Sequence, residues 1–120
     1  MYWARHARPR AEGMGIMRLS TYSNGEGHVV EVEGEMTSQE PVQRLPRTVE
    51  QLLERESPPI VKVNVRQVEM LDLEGIAALL AARKLVLQSG AEFQLVDGQP
   101  RVRNRLKTTG VLRLLEEGEL

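Results

Sequence analysis

Val68-Glu69-Met70-Leu71-Asp72-Leu73-Glu74-Gly75-Ile76-Ala77-Ala78-Leu79-Leu80 is the stretch on which the fold turns. Just upstream, Val61, Val63 and Val65 alternate with Lys62, Asn64 and Arg66, the period of a strand with one buried face. Downstream, apolar residues continue to a Ser89-Gly90 stop. The stretch is therefore a strand-to-helix junction, with Asp72 and Glu74 where the helix opens. Free N–H groups and a partial positive charge make a helix start favourable for carboxylates. The two acids either cap the helix or mark a recognition surface. Gly75 in the first turn costs about 1 kcal/mol against alanine. That cost points to close backbone approach, by a neighbouring loop or by a partner.

Outward from the junction, the spacing predicts a strand over residues 60–65 and a helix over 73–89, about 25 Å long at the standard rise. A strand at 91–96 follows, with Phe93 and Leu95 on one face. Asp97-Gly98-Gln99-Pro100 turns into a helix anchored by Val102 and Leu106 and ended by Thr109-Gly110. Residues 111–115 are expected to form a short last strand. On the N-terminal side, residues 16–22 and 28–34 flank Ser23-Asn24-Gly25-Glu26-Gly27, and Asn-Gly suits a hairpin turn. Val30 and Val32 alternate with Glu31 and Glu33, so the second hairpin strand has one wet face. Val42, Leu45, Val49, Leu52 and Leu53 recur at helical spacing, with Thr37 or Ser38 as the expected cap. Pro46 fits only if that helix starts near Leu45 or kinks there. Ser57-Pro58-Pro59 ends it.

The order β-β-α-β-α-β-α, with alternating strands, predicts an α/β domain: a mixed sheet of four to five strands with helices packed on one face. At 120 residues the chain has room for one such domain, assigned here to residues 14–120. Residues 1–13, with Arg5, Arg8, Arg10 and Pro9, read as a disordered N-terminal arm, and Met14 and Met17 offer later starts. One Trp, two Tyr and one Phe leave the core aliphatic and argue against base-stacking platforms. A net charge of −1 gives no footprint for direct nucleic-acid binding. Without cysteine there are no disulfides or thiolate metal sites. No apolar run approaches the roughly 20 residues that span a bilayer, so no membrane insertion and a cytoplasmic location are expected.

Four stretches, in order, resemble the STAS domain of bacterial anti-sigma factor antagonists. Gly34-Glu35-Met36-Thr37 resembles the Gly-Glu-Leu-Asp that ends the family's second strand. Val61-Lys62-Val63-Asn64-Val65 resembles its third strand, usually written with Asp where Asn64 stands. Leu71 to Ile76 resembles its Asp-Ser-Ser-Gly-Leu junction, and residues 100–111 its third helix. The resemblance implies a STAS-like fold and a protein-binding role. In that family the second junction serine is phosphorylated by an anti-sigma factor kinase; the unmodified antagonist binds the kinase and frees the sigma factor. Here Asp72 and Gly75 match the family residues, Leu73 replaces the first serine, and Glu74 stands at the phospho-acceptor position.

Glu74 cannot be phosphorylated, so no modification is expected at the usual place. Its carboxylate either imitates the phosphorylated form, pairs with a basic residue on a partner, or simply complements the helix dipole for about 0.3–1 kcal/mol. Ile76 to Ala82 is apolar around its whole circumference, which suits a central, flanked helix or, alternatively, an alanine-rich docking side. The partner-binding residues expected on this basis are Asp72, Leu73, Glu74, Gly75 and Ala78. The implied partner is an anti-sigma factor or a serine-kinase-like protein, and a homodimer is compatible with the sequence. The alternative is a STAS subunit of an ABC-type membrane transport assembly.

No cofactor, metal site or catalytic set is expected. His6 and His28 lie apart from any nucleophile, and Gly13-Met14-Gly15 is not a phosphate loop. Glu69, Asp72 and Glu74 lack the spacing of a calcium loop. Arg101, Arg103, Arg105 and Lys107 spread around their helix as a solvated surface. Ser89, Thr108 and Thr109 carry no signal selecting them for modification.

Overall fold

Alternating valines build the centre of the sheet. In the computed structural model, which describes residues 17–38 and 41–117, four strands form one sheet. They are β1 (Arg18–Ser23), β2 (His28–Met36), β3 (Ile60–Leu71) and β4 (Glu92–Val96), in the spatial order β1-β2-β3-β4. β1 and β2 are antiparallel, whereas β2–β3 and β3–β4 are parallel. The register sets Val30 opposite Val63 and Val63 opposite Leu95, with Val61 beside Phe93. All are buried beneath the helices. On the other face Glu31, Lys62, Asn64 and Gln94 stay partly exposed, as period-two alternation requires. Expectations for residues 1–16 lie outside the described residues.

The helices are α1 (Arg44–Glu56), α2 (Leu73–Gln88), α3 (Pro100–Thr108) and α4 (Leu112–Glu117). α1 presents Leu45, Pro46, Val49 and Leu52 to the core and packs along α2. Pro46 is its third residue, inside the first turn, where the missing N–H removes no helical bond. Thr37 and Ser38 do not cap it: Gln43 stands at the N-cap without a side-chain bond. Ser57 ends it in the left-handed region, at φ 46°. In the hairpin loop Gly25 takes a positive φ, while the Asn24 side chain accepts from the N–H groups of Glu26 and Gly27 at 3.0 and 3.1 Å.

Two expectations are corrected. Residues 111–115 are not a strand: Gly110 turns the chain at φ 82° and α4 follows, with Leu115 fully buried. The sheet therefore has four strands among the described residues. β3 also runs to Leu71 instead of stopping at Val65. It does so through two register shifts, each giving β3 an extra residue: Glu31↔Asn64 is followed by Glu33↔Gln67, and Gly34↔Val68 by Glu35↔Met70. Such bulges re-aim side chains near the end of a strand. Here they keep Val68 and Leu71 buried while Glu69 and Met70 point outward.

The end of β3 feeds straight into α2, and Gly75 lets the two seat closely. A β-carbon at Gly75 would overlap the carbonyl oxygen of Met36 and come within 2.7 Å of Leu71 Cδ1 and 2.8 Å of Met36 Cβ. The close approach expected at Gly75 is thus made by the end of β2. Gly75→Ala gains about 1 kcal/mol in helix propensity, yet must push a backbone carbonyl aside. Overpacking of this kind costs about 1–3 kcal/mol. The variant is expected to be the less stable protein by urea denaturation, against the direction propensity alone gives.

Candidate functional site

The site is assembled by one carboxylate. Asp72 caps α2, its Oδ1 accepting from the N–H groups of Glu74 at 2.9 Å and Gly75 at 3.1 Å. Its Oδ2 accepts from the N–H of Ser38 at 2.8 Å, and its own N–H donates to the Met36 carbonyl at 3.1 Å. Two of the four stretches noted in the sequence, residues 34–37 and 71–76, thereby meet at one point. Burial pushes the Asp72 carboxyl up, but the N–H bonds from Ser38, Gly75 and Glu74 outweigh it and hold the group below the usual carboxylate range.

With the helix start fixed, Leu73 and Glu74 project outward. Leu73 is 67 % exposed, an uncommon state for a leucine at the first position of a buried helix. Met70 adds a second exposed apolar side chain at 46 %. Along α2, Ala77 is exposed and Leu80 half-buried, followed by Lys84 and Leu87. The outer line of the helix is therefore mostly apolar, while Ile76, Leu79, Ala82 and Val86 fill the core. Ala78 does not belong to the surface. It is 1 % exposed, packed inward, and the accessible alanine of that turn is Ala77. Gly75 is likewise buried and seats the helix against Met36.

α3 braces the same region. Gln99 Nε2 donates to the Arg66 carbonyl at 2.6 Å, and Arg101 Nη1 to the Glu69 carbonyl at 3.3 Å. The basic run is divided in its uses, since Arg103 pairs with Glu116 while Arg105 and Lys107 stay exposed. Asn64, where the family pattern has Asp, donates from Nδ2 to Asp97 at 3.2 Å and accepts from the Arg66 N–H at 2.9 Å. An aspartate there would set two carboxylates against each other, so asparagine suits this chain. Among the described residues no cluster of His, Cys, Asp or Glu has the geometry to hold a metal ion. Nor is any helix there long and apolar enough to cross a membrane.

The sequence pattern did not bring Ser38 or Met70 to the junction, and it named Ala78 where Ala77 is the exposed alanine. Met70 had a legible signal, an exposed apolar residue between charged Glu69 and the junction. Ser38 had none, because its contact is made 34 positions away.

The Asp72 cap has a pH signature. A carboxyl whose folded-state pKa is lowered stabilises the fold above its unfolded value and loses that contribution as pH falls through the folded one. Asp72→Ala is expected to cost about 1–2 kcal/mol at neutral pH, the usual worth of an N-cap. The gap between variant and parent should narrow progressively below about pH 4. Urea titrations of both proteins from pH 7 to pH 3 check this.

Comparison with known proteins places this geometry. The sequence model of the family described as "Mlab, STAS domain" matches residues 19–116. The fold is similar to that of the anti-sigma factor antagonist SpoIIAA in its unphosphorylated form, at 16% identity and a TM-score of 0.65, over 80% of this chain and 82% of that one. It is similar to an anti-sigma factor antagonist from Mycobacterium paratuberculosis at 22% identity and a TM-score of 0.68, over 79% of each chain. A sulfate transporter family protein from Wolinella succinogenes is similar at 21% identity and 0.64, over 74% and 70%. Among curated proteins none matches the chain significantly. With a match that runs from the first strand to the last helix, this chain belongs to the STAS domain family.

Proposed function

We propose that this protein is a regulatory binding module that acts as an anti-sigma factor antagonist. On this reading it engages an anti-sigma factor or serine-kinase-like protein in the cytoplasm, without phosphorylation at residue 74. The observation that carries the reading is the exposed pair Leu73 and Glu74 on a helix start held rigid by Asp72. Leu73 offers a partner apolar area, and Glu74 offers one fixed negative charge. Two structural neighbours are described as anti-sigma factor antagonists, a role of binding and not of chemistry. With glutamate at the acceptor position, control passes to the amount of protein or to another surface.

A second reading has one specific support, the neighbour described as a sulfate transporter family protein. A glutamate that cannot be modified also suits a permanent subunit. Under that reading the same surface of α2 docks on the ATPase of an ABC-type membrane transport assembly.

Size-exclusion chromatography with the anti-sigma factors of the same genome tests the first reading. The parent protein is expected to form a complex with one of them. Leu73→Asp should weaken it about tenfold or more, since burying one leucine is worth about 1.5–3 kcal/mol. Glu74→Ser should still bind. Failure of both parent and Glu74→Ser to form any such complex overturns the reading. Recovery of a transport ATPase with the protein from its own cells establishes the second instead.

A further inference from the structure

We infer that α2 pairs antiparallel with α2 of a second copy of this chain, along its exposed leucine line, to give a two-fold dimer. Three leucines carry the inference. Leu73, Leu80 and Leu87 recur every seventh residue, a spacing that drifts by only about 20° per step around a helix. They therefore form one seam along a helix of about 24 Å. Leu73 is 67 % exposed, Leu87 is 41 % exposed, and Leu80 lies half-buried between them. The core does not need this seam, since Ile76, Leu79, Ala82 and Val86 already fill the inner side of the helix. Leu85, further round, faces Pro46 and Arg47 of α1 across a shallow groove, so α1 bounds the open face on that side.

Self-complementarity selects a second copy as the occupant. Reversed about Leu80, the seam maps onto itself: Leu73 meets Leu87 of the other copy, and Leu80 meets Leu80. An interface of one patch with itself is what a two-fold axis requires. Charge follows the same symmetry. Glu74 and Lys84 are exposed on the same side of the seam, and neither pairs with an opposite charge among the described residues. The two-fold sets that side of one helix against the same side of the other. Glu74 then stands level with Val86 of the second copy, two residues or about 3 Å along the axis from its Lys84. The lysine stem spans that offset. Ala77, exposed on the same side, leaves the helices room to approach. A parallel pair instead sets each charge level with its own copy. A single helix pair falls short of a standard stable interface, so the dimer is weak, with a Kd between about 1 μM and 1 mM. It covers Leu73 and Glu74, so the junction is open to a partner only in the monomer. That exclusion rests on the binding role proposed above; the dimer does not.

Analytical ultracentrifugation of the protein alone, over a range of concentrations up to about 1 mM, tests the pairing. Sedimentation is expected to move from monomer towards dimer as concentration rises. Leu87→Asp, about 21 Å along the helix from Leu73, should weaken the dimer about tenfold or more. Glu74→Lys and Lys84→Glu should each weaken it about fivefold. The double exchange Glu74→Lys/Lys84→Glu should return the affinity to near that of the parent. Within one chain these two residues lie about 15 Å apart along the helix, so the recovery reports a contact between copies. Circular dichroism separates loss of pairing from loss of fold. A monomer at every concentration, a dimer indifferent to Leu87→Asp in a folded variant, or a double exchange no tighter than the single variants overturns the inference. None of these outcomes depends on an anti-sigma factor or ATPase partner.

Discussion

The carboxylate of Asp72 ties the first turn of α2 to the segment that follows β2. It closes the first turn of α2 and accepts from the Ser38 N–H after β2, while the backbone N–H of the same residue donates to the Met36 carbonyl that crowds Gly75. Each bond alone is modest, of order 1 kcal/mol net. Their importance is geometric, because they fix where α2 starts and how it is turned. The turn of the helix decides that Leu73 and Glu74 face solvent while Ile76 and Leu79 face the sheet.

Gly75 is the steric counterpart of this electrostatic tie. Asp72 pulls the end of β2 and the start of α2 together, and only a residue without a side chain leaves room for the Met36 carbonyl. The two residues therefore depend on each other. At residue 74 the chain keeps no such constraint, since the side chain is exposed and its N–H alone is used. A serine and a glutamate fit the backbone there equally well, so the change alters the chemistry of the surface and leaves the frame intact.

Much of this was legible in the sequence because it is written locally. The alternation of Val61, Val63 and Val65, the Pro46 and Ser57-Pro58-Pro59 punctuation, and the Asp72 cap each rest on neighbours a few residues away. The misreadings have the opposite character. Val111 to Leu115 is a short apolar run whose period suits either state, and burial of Leu115 decides for a helix. β3 continues past Val65 because two bulges absorb Arg66 to Met70, and bulges follow from the partner strand. Ala78 looked as available as Ala77, since a helix apolar all round does not announce which side meets the sheet. Ser38 looked like a cap for the next helix, but its N–H is taken by a side chain from another part of the chain.

The parallel pairing of β2 with β3 has a consequence for the life of the protein in the cell. Met36 and Leu71 are strand partners, and the intervening chain must first fold back as α1 before they can meet. Contacts of such long sequence separation form late and together, after the loop entropy has been met. The outward face of Leu73 and Glu74 thus exists only in a completed molecule. A nascent, nicked or half-unfolded copy displays the same residues without the shape. Any property that depends on the shape of this face therefore follows the folded population alone.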